Sequence, residues 1–158
     1  MEYDHSTKTI TLYDKDAKQV GSWTAGNNVD SEAPLKDGVP NGTYEFLDTN
    51  SAHTHSKDED SADGKFGTQG IFRIKDFSGP DKDKSGNLVD HTGVGVHAGR
   101  ENKEDGAKRK GTEYATEGCI RTTEEGMKQI ATTAKNDPLT NLTVKNRREL
   151  KKDEEVKR

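Results

Sequence analysis

Cysteine is almost absent from this sequence, which has one, Cys119, among 158 residues. A single cysteine cannot form an internal disulfide, so no disulfide framework supports the fold. The thiol is therefore a packed core group, a link to another molecule or a chemically reactive group. The residues around Cys119 must decide between these three interpretations.

Long apolar runs are also missing, because only 27% of the residues are hydrophobic and 34% are charged. No stretch approaches the roughly 20 apolar residues that a membrane-spanning helix needs. The first residues lack the basic segment followed by an apolar run that marks a secretory leader. If the substrate lies outside the cytoplasm, we expect that a leader or delivery domain has been removed or that another machine carries the protein there.

An excess of basic residues is absent as well: the 25 Lys and Arg residues face 29 Asp and Glu residues, for a formal net charge of −4. This balance implies no general attraction to nucleic acid, so we expect no DNA or RNA partner. The length suits one domain. We place that domain at residues 1–146, because residues 147–158 are almost purely charged and predict a solvated tail.

The apolar residues form short runs between polar turns, and with 16 glycines this favours a thin core carried by β-strands. Alternating residues at 8–13 and 19–23, around a turn at 14–18, predict a hairpin of the first two strands. A long polar loop is expected at 49–67. Further strands are predicted at 43–47, 70–74, 93–98 and 139–144.

One helix is predicted, directly after Cys119. Thr122 and Glu125 have capping-box spacing, and an apolar stripe follows them. The stripe consists of Met127, Ile130, Ala131 and Ala134. The expected fold is therefore mostly β with one packed α-helix.

Two segments carry residues suited to nucleophilic chemistry. His97 ends a predicted strand, and Cys119 follows Gly118 just before the predicted helix. Attack on an amide needs a thiolate, a base and backbone donors for the oxyanion, and the amides of residues 118–120 are candidate donors. A position near a helix N-terminus and beside Arg121 predicts a lowered thiol pKa. Spacing alone leaves open that Cys119 is a small buried hydrophobe.

This part of the sequence resembles the signature of the L,D-transpeptidase (YkuD-type) family. That signature is a histidine followed some way on by Ser or Thr, His, Gly, Cys, an apolar residue and often Arg. The matching residues are His97, Thr116, Glu117, Gly118, Cys119, Ile120 and Arg121. Residues 39–44 resemble the family's Pro-x-Gly-x-aromatic turn. The resemblance covers most of residues 7–145, but it is specific only around His97 and Cys119.

The resemblance implies a β-sandwich or barrel and a cysteine enzyme without cofactor or metal. Cys119 would be acylated by a tetrapeptide stem of peptidoglycan, at the bond after meso-diaminopimelate, and the acyl group would pass to an amine or to water. His97 would be the general base, beside Gly118 in the catalytic turn, and Arg121 a substrate- or oxyanion-side group. The Ala98 carbonyl would orient the imidazole. The implied substrate-binding residues are Ala98, Tyr114, Thr116, Glu117 and Ile120.

Two departures from the signature are visible. Glu117 replaces the second histidine, and the interval from His97 to Thr116 is longer than usual. In these features the chain is similar to L,D-transpeptidase-like effectors of type VI secretion. That similarity implies a periplasmic or secreted location and, as partners, an immunity protein or the secretion machinery.

Basic residues of the loop at 101–111 suggest a second contact with substrate. We expect this loop to flank the groove above Cys119, with Lys108, Arg109 and Lys110 meeting acidic stem carboxylates.

Three alternatives compete with the cysteine enzyme. Oxygen donors within residues 81–90 resemble part of an EF-hand loop, but Thr92 stands where a glutamate is required, which favours a polar turn. His53 and His55, with His91 or His97, are a possible zinc site without a helical zinc motif. A non-catalytic wall-binding module would keep Cys119 packed and line a groove with Trp23, Tyr44 and Tyr114.

Overall fold

The computed structural model describes residues 1–29, 35 and 37–147, and within them the fold is mostly β with one packed α-helix, which confirms the predicted fold class. The strands are β1 (Glu2–Asp4), β2 (Thr9–Tyr13), β3 (Gln19–Gly26), β4 (Gly42–Glu45), β5 (Phe72–Arg73), β6 (Phe77–Lys82), β7 (Leu88–His91), β8 (Gly95–His97), β9 (Ile120–Thr122) and β10 (Asn141–Lys145). Helix α1 is Glu124–Ala134, and one turn of 3-10 helix covers Gly111–Glu113.

Eight of these strands form one sheet that closes on itself. Their order is β4-β10-β1-β2-β3-β9-β8-β5, with β1 parallel to β10 and β8 parallel to β9. Just beyond the two edge strands, Phe46 bridges Ile74, and the Leu47 amide donates to the Arg73 carbonyl at 2.8 Å. This contact joins the edges, so the curled sheet forms a barrel and its edges are not left open.

The core lies between the curled sheet and α1. In the predicted hairpin, Ile10 is paired with Trp23, and the alternating side chains of Ile10 and Leu12 are buried. Helix α1 buries Met127, Ile130 and Ala134, three of the four predicted stripe residues, whereas Ala131 is partly buried. The apolar face of the helix therefore closes the core, as its 3.6-residue period requires.

Four strands were not predicted. The hairpin is preceded by β1, whose three residues include only one buried side chain, Tyr3. The segment interpreted as a polar turn, residues 81–90, overlaps β6 and β7, which form a separate two-stranded hairpin in which Phe77 is paired with His91. Strand β1 depends on pairing with β10, 140 residues away in the chain. Such distant pairing leaves no local pattern in the sequence.

The fourth missed strand, β9, corrects the position of the helix. Cys119 is followed by β9 and only then by α1, so the cysteine is not at the helix N-terminus. The N-cap is Thr123, whose hydroxyl accepts from the Gly126 amide at 3.0 Å, and not Thr122, which belongs to β9. Three residues with alternating apolar character are too short to distinguish from a helix start by pattern alone.

The predicted long loop is present, whereas most of the predicted tail lies outside the described residues. Residues 49–67 contain no strand apart from a single bridge between His53 and Ile71. Residues 148–158 of the predicted tail lie outside the described residues. Arg147 is described, and its amide donates to the Asn41 side chain at 2.8 Å. Across the described ranges, no helix has the length and apolar character of a membrane span.

Gly95 on β8 predicts a measurable packing constraint where this strand pairs with β5. A Cβ at this position would lie 2.3 Å from the Phe72 carbonyl oxygen, whereas one at exposed Gly106 would meet nothing within 4 Å. We expect Gly95→Ala to lower the free energy of unfolding by about 2–3 kcal/mol and Gly106→Ala to change it by less than about 0.5 kcal/mol. Urea unfolding measures both, and equal midpoints would contradict the observed packing.

Candidate active site

A cavity of about 520 Å³ opens beside β8 and the start of β9. Seven of the nine residues predicted for the site line it: His97, Tyr114, Thr116, Glu117, Gly118, Cys119 and Arg121. The other two, Ala98 and Ile120, are buried in the hydrophobic core. Their side chains therefore do not face a ligand in this cavity. The backbone carbonyl of Ala98 lies beside His97 and forms a hydrogen bond with its ring.

The parallel pairing of β8 and β9 brings the histidine and the cysteine together. Val96 is paired with Ile120 and His97 with Arg121, so Cys119 directly precedes the paired part of β9. The Cys119 sulfur lies 3.5 Å from the Gly93 carbonyl oxygen, to which the thiol donates. One pair of neighbouring strands thus fixes both groups on the wall of one cavity.

The position of His97 fixes its tautomer. Its ring is 2% exposed, and Nδ1 lies 2.6 Å from the Ala98 carbonyl oxygen. A carbonyl oxygen only accepts, so Nδ1 carries the proton and Nε2 keeps its lone pair. Burial, with the nearby charge of Arg121, lowers the pKa of His97 to about 3. The imidazole is therefore neutral near pH 7 and has a nitrogen available to accept a proton.

The predicted lowering of the cysteine pKa is wrong. Burial raises the pKa of the Cys119 thiol above its ordinary value, although the Gly95 amide and the charges of Arg121 and Lys65 act in the opposite direction. Glu117 raises it further. The helix dipole gives no help, because β9 separates Cys119 from α1 and the effect falls off within the first turn. The thiol and the imidazole are therefore both neutral near pH 7.

Arg121 is a structural group at the base of the cavity. Its side chain is 2% exposed, and burial, with the charge of Arg100, lowers its pKa to about 10. Its donors are bound to backbone carbonyl oxygens, those of Lys65 (3.1 Å), Ala98 (3.3 Å), Tyr114 (2.8 Å) and Ala115 (3.4 Å). Because these donors are engaged, Arg121 holds the backbone around the cavity.

The turn that presents Cys119 is held by side chains on both sides. The Gly118 amide donates to the Thr116 hydroxyl at 3.2 Å, and that hydroxyl donates to the Cys119 carbonyl at 2.7 Å. Gly118 has a φ of +147°, and a Cβ there would lie 2.8 Å from Leu35. The Gly118 amide is thus used inside the turn, which removes it from the three predicted oxyanion donors.

Asn27 is a site residue that the sequence did not indicate. Its side-chain nitrogen donates to the carbonyl oxygens of Gly118 and Cys119, both at 2.9 Å, and its oxygen accepts from the Val39 amide at 2.7 Å. It joins the cysteine turn to the segment before β4. Asn27 is 92 residues from Cys119 in the sequence, so no local signal could have identified it.

Residues of the loop at 49–67 form the cavity wall beside His97. From the sequence, this loop was predicted only to be polar and exposed to solvent. Lys65 and Phe66 line the cavity, and the Phe66 ring meets the His97 ring edge-on at 5.2 Å. On its other side Phe66 stacks on His55 at 3.7 Å. Arg100 and His91 also line the cavity.

Several residues proposed as ligand contacts lie elsewhere. Lys108, Arg109 and Lys110 do not line the cavity, and Arg109 is paired with Asp105 at 2.9 Å. The Trp23 ring lies against Gly126 of α1, and the Tyr44 hydroxyl donates to the Pro40 carbonyl at 2.6 Å. Of the three aromatic residues considered for a groove, Tyr114 alone is at this cavity.

The described residues offer no cluster of ligands for either the zinc or the calcium alternative. In the part of the chain that the structure describes, no group of three or more His, Cys, Asp or Glu residues is placed to hold a metal ion. Within the EF-hand-like run, Asp83 accepts from the amides of Ser85 and Asn87, both at 2.9 Å. These bonds close the turn between β6 and β7, as the polar-turn interpretation requires.

The solved structures to which this chain is similar include three L,D-transpeptidases. The enzyme from Xylanimonas cellulosilytica has a TM-score of 0.48 at 16% identity, over 91% of this chain and 58% of that one. L,D-transpeptidase 1 of Mycobacterium tuberculosis has a TM-score of 0.47 at 14% identity, over 92% and 60%. The enzyme from Mycobacterium smegmatis has a TM-score of 0.41 at 15% identity, over 92% and 57%.

This chain thus spans less than two thirds of each of those three structures. No protein-family model and no curated protein matches the sequence.

The raised pKa of Cys119 predicts how its reactivity changes with pH. Because the thiolate forms only above the ordinary pKa of a cysteine, we expect the rate of alkylation by iodoacetamide to keep rising with pH beyond the range of the urea-unfolded protein. Glu117→Gln removes a negative charge and shifts the profile to lower pH. Intact-protein mass spectrometry measures the rates, and a plateau below pH 7 would show an ion pair instead.

The lowered pKa of His97 predicts a loss of stability in mild acid. The unfolded chain binds a proton at this residue below about pH 6.5, whereas the folded chain does so only near pH 3. Stability is therefore complete above pH 6.5 and falls as the pH is lowered, by about 2 kcal/mol at pH 5. Urea unfolding between pH 7 and 5 measures this slope, and a His97→Gln variant with the same slope would refute the assignment.

Proposed function

We propose that this chain is a cysteine acyltransferase of the L,D-transpeptidase type that acts on peptidoglycan stem peptides. The observation that carries the proposal is that the Cys119 thiol and a neutral His97, with its tautomer fixed, line one cavity. The sequence signature around these two residues supplies the reaction class. We assign the activity to residues 1–146, the domain predicted from the sequence.

In the proposed first step, the Cys119 sulfur attacks the carbonyl carbon by which meso-diaminopimelate is joined to the terminal D-residue, while the thiol proton passes to His97 Nε2. The resulting imidazolium returns this proton to the leaving amine of the terminal D-residue, and the C–N bond breaks to leave a thioester. An incoming amine or water then attacks the thioester carbonyl and gives a proton to His97. The C–S bond breaks as the imidazolium returns this proton to the sulfur. The products are the free thiol and an exchanged, cross-linked or shortened peptide.

The backbone of the site supports the charges of this reaction. We assign the oxyanion to the Cys119 amide, because the Gly118 amide donates to Thr116 and Ile120 is buried in the core and does not line the cavity. The Ala98 carbonyl, which accepts from His97 Nδ1 and from Arg121 Nε, stabilises the imidazolium as it forms. Arg121 contributes as a positioning residue, since its donors hold the carbonyl that orients the base.

We place this activity in the peptidoglycan compartment, as an effector delivered by type VI secretion and neutralised by an immunity protein. This part of the proposal is supported by the resemblance of the sequence, including its Glu117 departure. Its test is growth: directed to the periplasm of a susceptible bacterium, the chain should arrest growth, whereas the Cys119→Ala variant should not. Equal growth of both strains would remove the effector role and leave the chemistry untouched.

The chemistry is tested by mass spectrometry of muropeptide tetrapeptides incubated with the protein, with and without a D-amino acid. We expect loss or exchange of the terminal D-alanine and a thioester adduct on Cys119. Cys119→Ala should abolish all three products, and His97→Gln should lower the rate by about 10²–10⁴-fold, as expected for loss of a general base.

The matched control is His53→Gln, because His53 lies in the loop at 49–67 and does not line the cavity. It should retain the wild-type rate. Unchanged peptide with the wild-type protein, or equal turnover by wild type and Cys119→Ala, would overturn the cysteine mechanism. Peptide that binds but is never cleaved would identify a non-catalytic wall-binding module.

A further inference from the structure

Two basic side chains enter the cavity from backbone segments that are bound to each other. The Ala98 amide donates to the Phe66 carbonyl at 3.2 Å, and the Arg100 amide donates to the Gly64 carbonyl at 3.1 Å. Lys65 and Arg100, which these bonds bring side by side, both line the cavity. The approach is so close that a Cβ at Gly99, whose φ is +107°, would lie 2.4 Å from the Gly64 oxygen.

Neither basic group is neutralised by a carboxylate of the described residues. Among the described residues, no ion pair includes Lys65 or Arg100. The Lys65 ammonium lies 5.4 Å from the centre of the Phe66 ring, and the Arg100 guanidinium lies 4.9 Å from that of Tyr114. Such contacts orient a cation without consuming its hydrogen-bond donors.

Arg100 also has a donor without an acceptor. Its Nε is enclosed and has no hydrogen-bond partner in the described part of the chain, and Nη1 makes one long bond, 3.4 Å, to the Asp63 carbonyl. The protein therefore satisfies this guanidinium only in part. Nη2, which is not enclosed and has no hydrogen-bond partner among the described residues, is left to donate to an anionic ligand.

A third cation, Arg121, adds to the positive charge of this part of the cavity. The Arg100 and Arg121 guanidinium groups lie 4.9 and 5.2 Å from the centre of the same Tyr114 ring. Arg121 has its donors on backbone carbonyls, so Lys65 and Arg100 are the groups left to bind a ligand. Two carboxylates also line the cavity, but Asp90 accepts from Ser78, and Glu117 is paired with neither cation.

We propose that Lys65 and Arg100 form a subsite beside Cys119 for a carboxylate of the acyl-donor peptide. This inference rests on the proposed function and names the feature that its substrate must carry. A tetrapeptide stem offers such a group from two sources, the C-terminal D-residue and the second centre of diaminopimelate. The subsite selects donors with a free carboxylate at the matching position.

The test compares three peptides: the tetrapeptide, its C-terminal amide and its diaminopimelate amide. For acylation of the wild-type protein, we expect one of the two amides to raise KM by about tenfold to a hundredfold, and the identity of that amide assigns the source. Lys65→Gln and Arg100→Gln should raise KM for the free tetrapeptide by a similar factor and change kcat by less than about threefold. In either variant, the amide that raises KM for the wild-type protein should raise KM no further.

Exposed Lys103, which does not line the cavity, supplies the control variant Lys103→Gln, and it should keep the wild-type KM. Calorimetric binding of the same three peptides to Cys119→Ala separates the subsite from catalysis. Binding that depends on the carboxylate without wild-type acylation would overturn the proposed function and retain the subsite. Acylation that is indifferent to both amides and both variants would overturn the subsite alone, and neither binding nor acylation would overturn both.

Discussion

The arrangement of the candidate site depends on the buried guanidinium of Arg121. It binds the carbonyl of Ala98 beside the base, those of Tyr114 and Ala115 before the cysteine turn, and that of Lys65 in the long loop. These acceptors come from three segments that no other single side chain is seen to connect in the described residues. Their geometry suits a planar, five-donor group, which lysine could not replace.

Burying this charge among neutral carbonyls has a cost, which the lowered pKa of Arg121 expresses. The cost is offset because the carbonyl oxygens of Lys65, Tyr114 and Ala115 accept from this side chain and from no other donor among the described residues. The same charge determines the state of the reacting groups. It disfavours an imidazolium at His97 and favours a thiolate at Cys119. Burial outweighs the second effect, so both groups rest neutral.

Local features of the fold were predictable from the sequence, and features that depend on distant contacts were not. The hairpin around Ile10 and the stripe of α1 follow from period alone, and His97 and Cys119 were visible as a motif. Strands β1 and β9 are three residues each and exist through pairing with partners far along the chain. Lys65 was assigned to a solvated loop from its polar neighbours in the sequence. Its position is instead fixed by hydrogen bonds of this segment to residues 98–100 and to Arg121, which the local sequence does not indicate.

The subsite formed by Lys65 and Arg100 has a consequence for the proton transfer in the proposed reaction. The charge of Lys65 lowers the pKa of both His97 and Cys119, so it opposes an imidazolium and favours a thiolate. A bound carboxylate would weaken both influences together. Transfer of a proton from sulfur to imidazole creates one positive and one negative charge, so these changes act in opposite directions on the same step. The carboxylate contact therefore contributes to binding and positioning of the donor peptide, while the energy of the proton transfer stays governed by burial and by the Ala98 carbonyl.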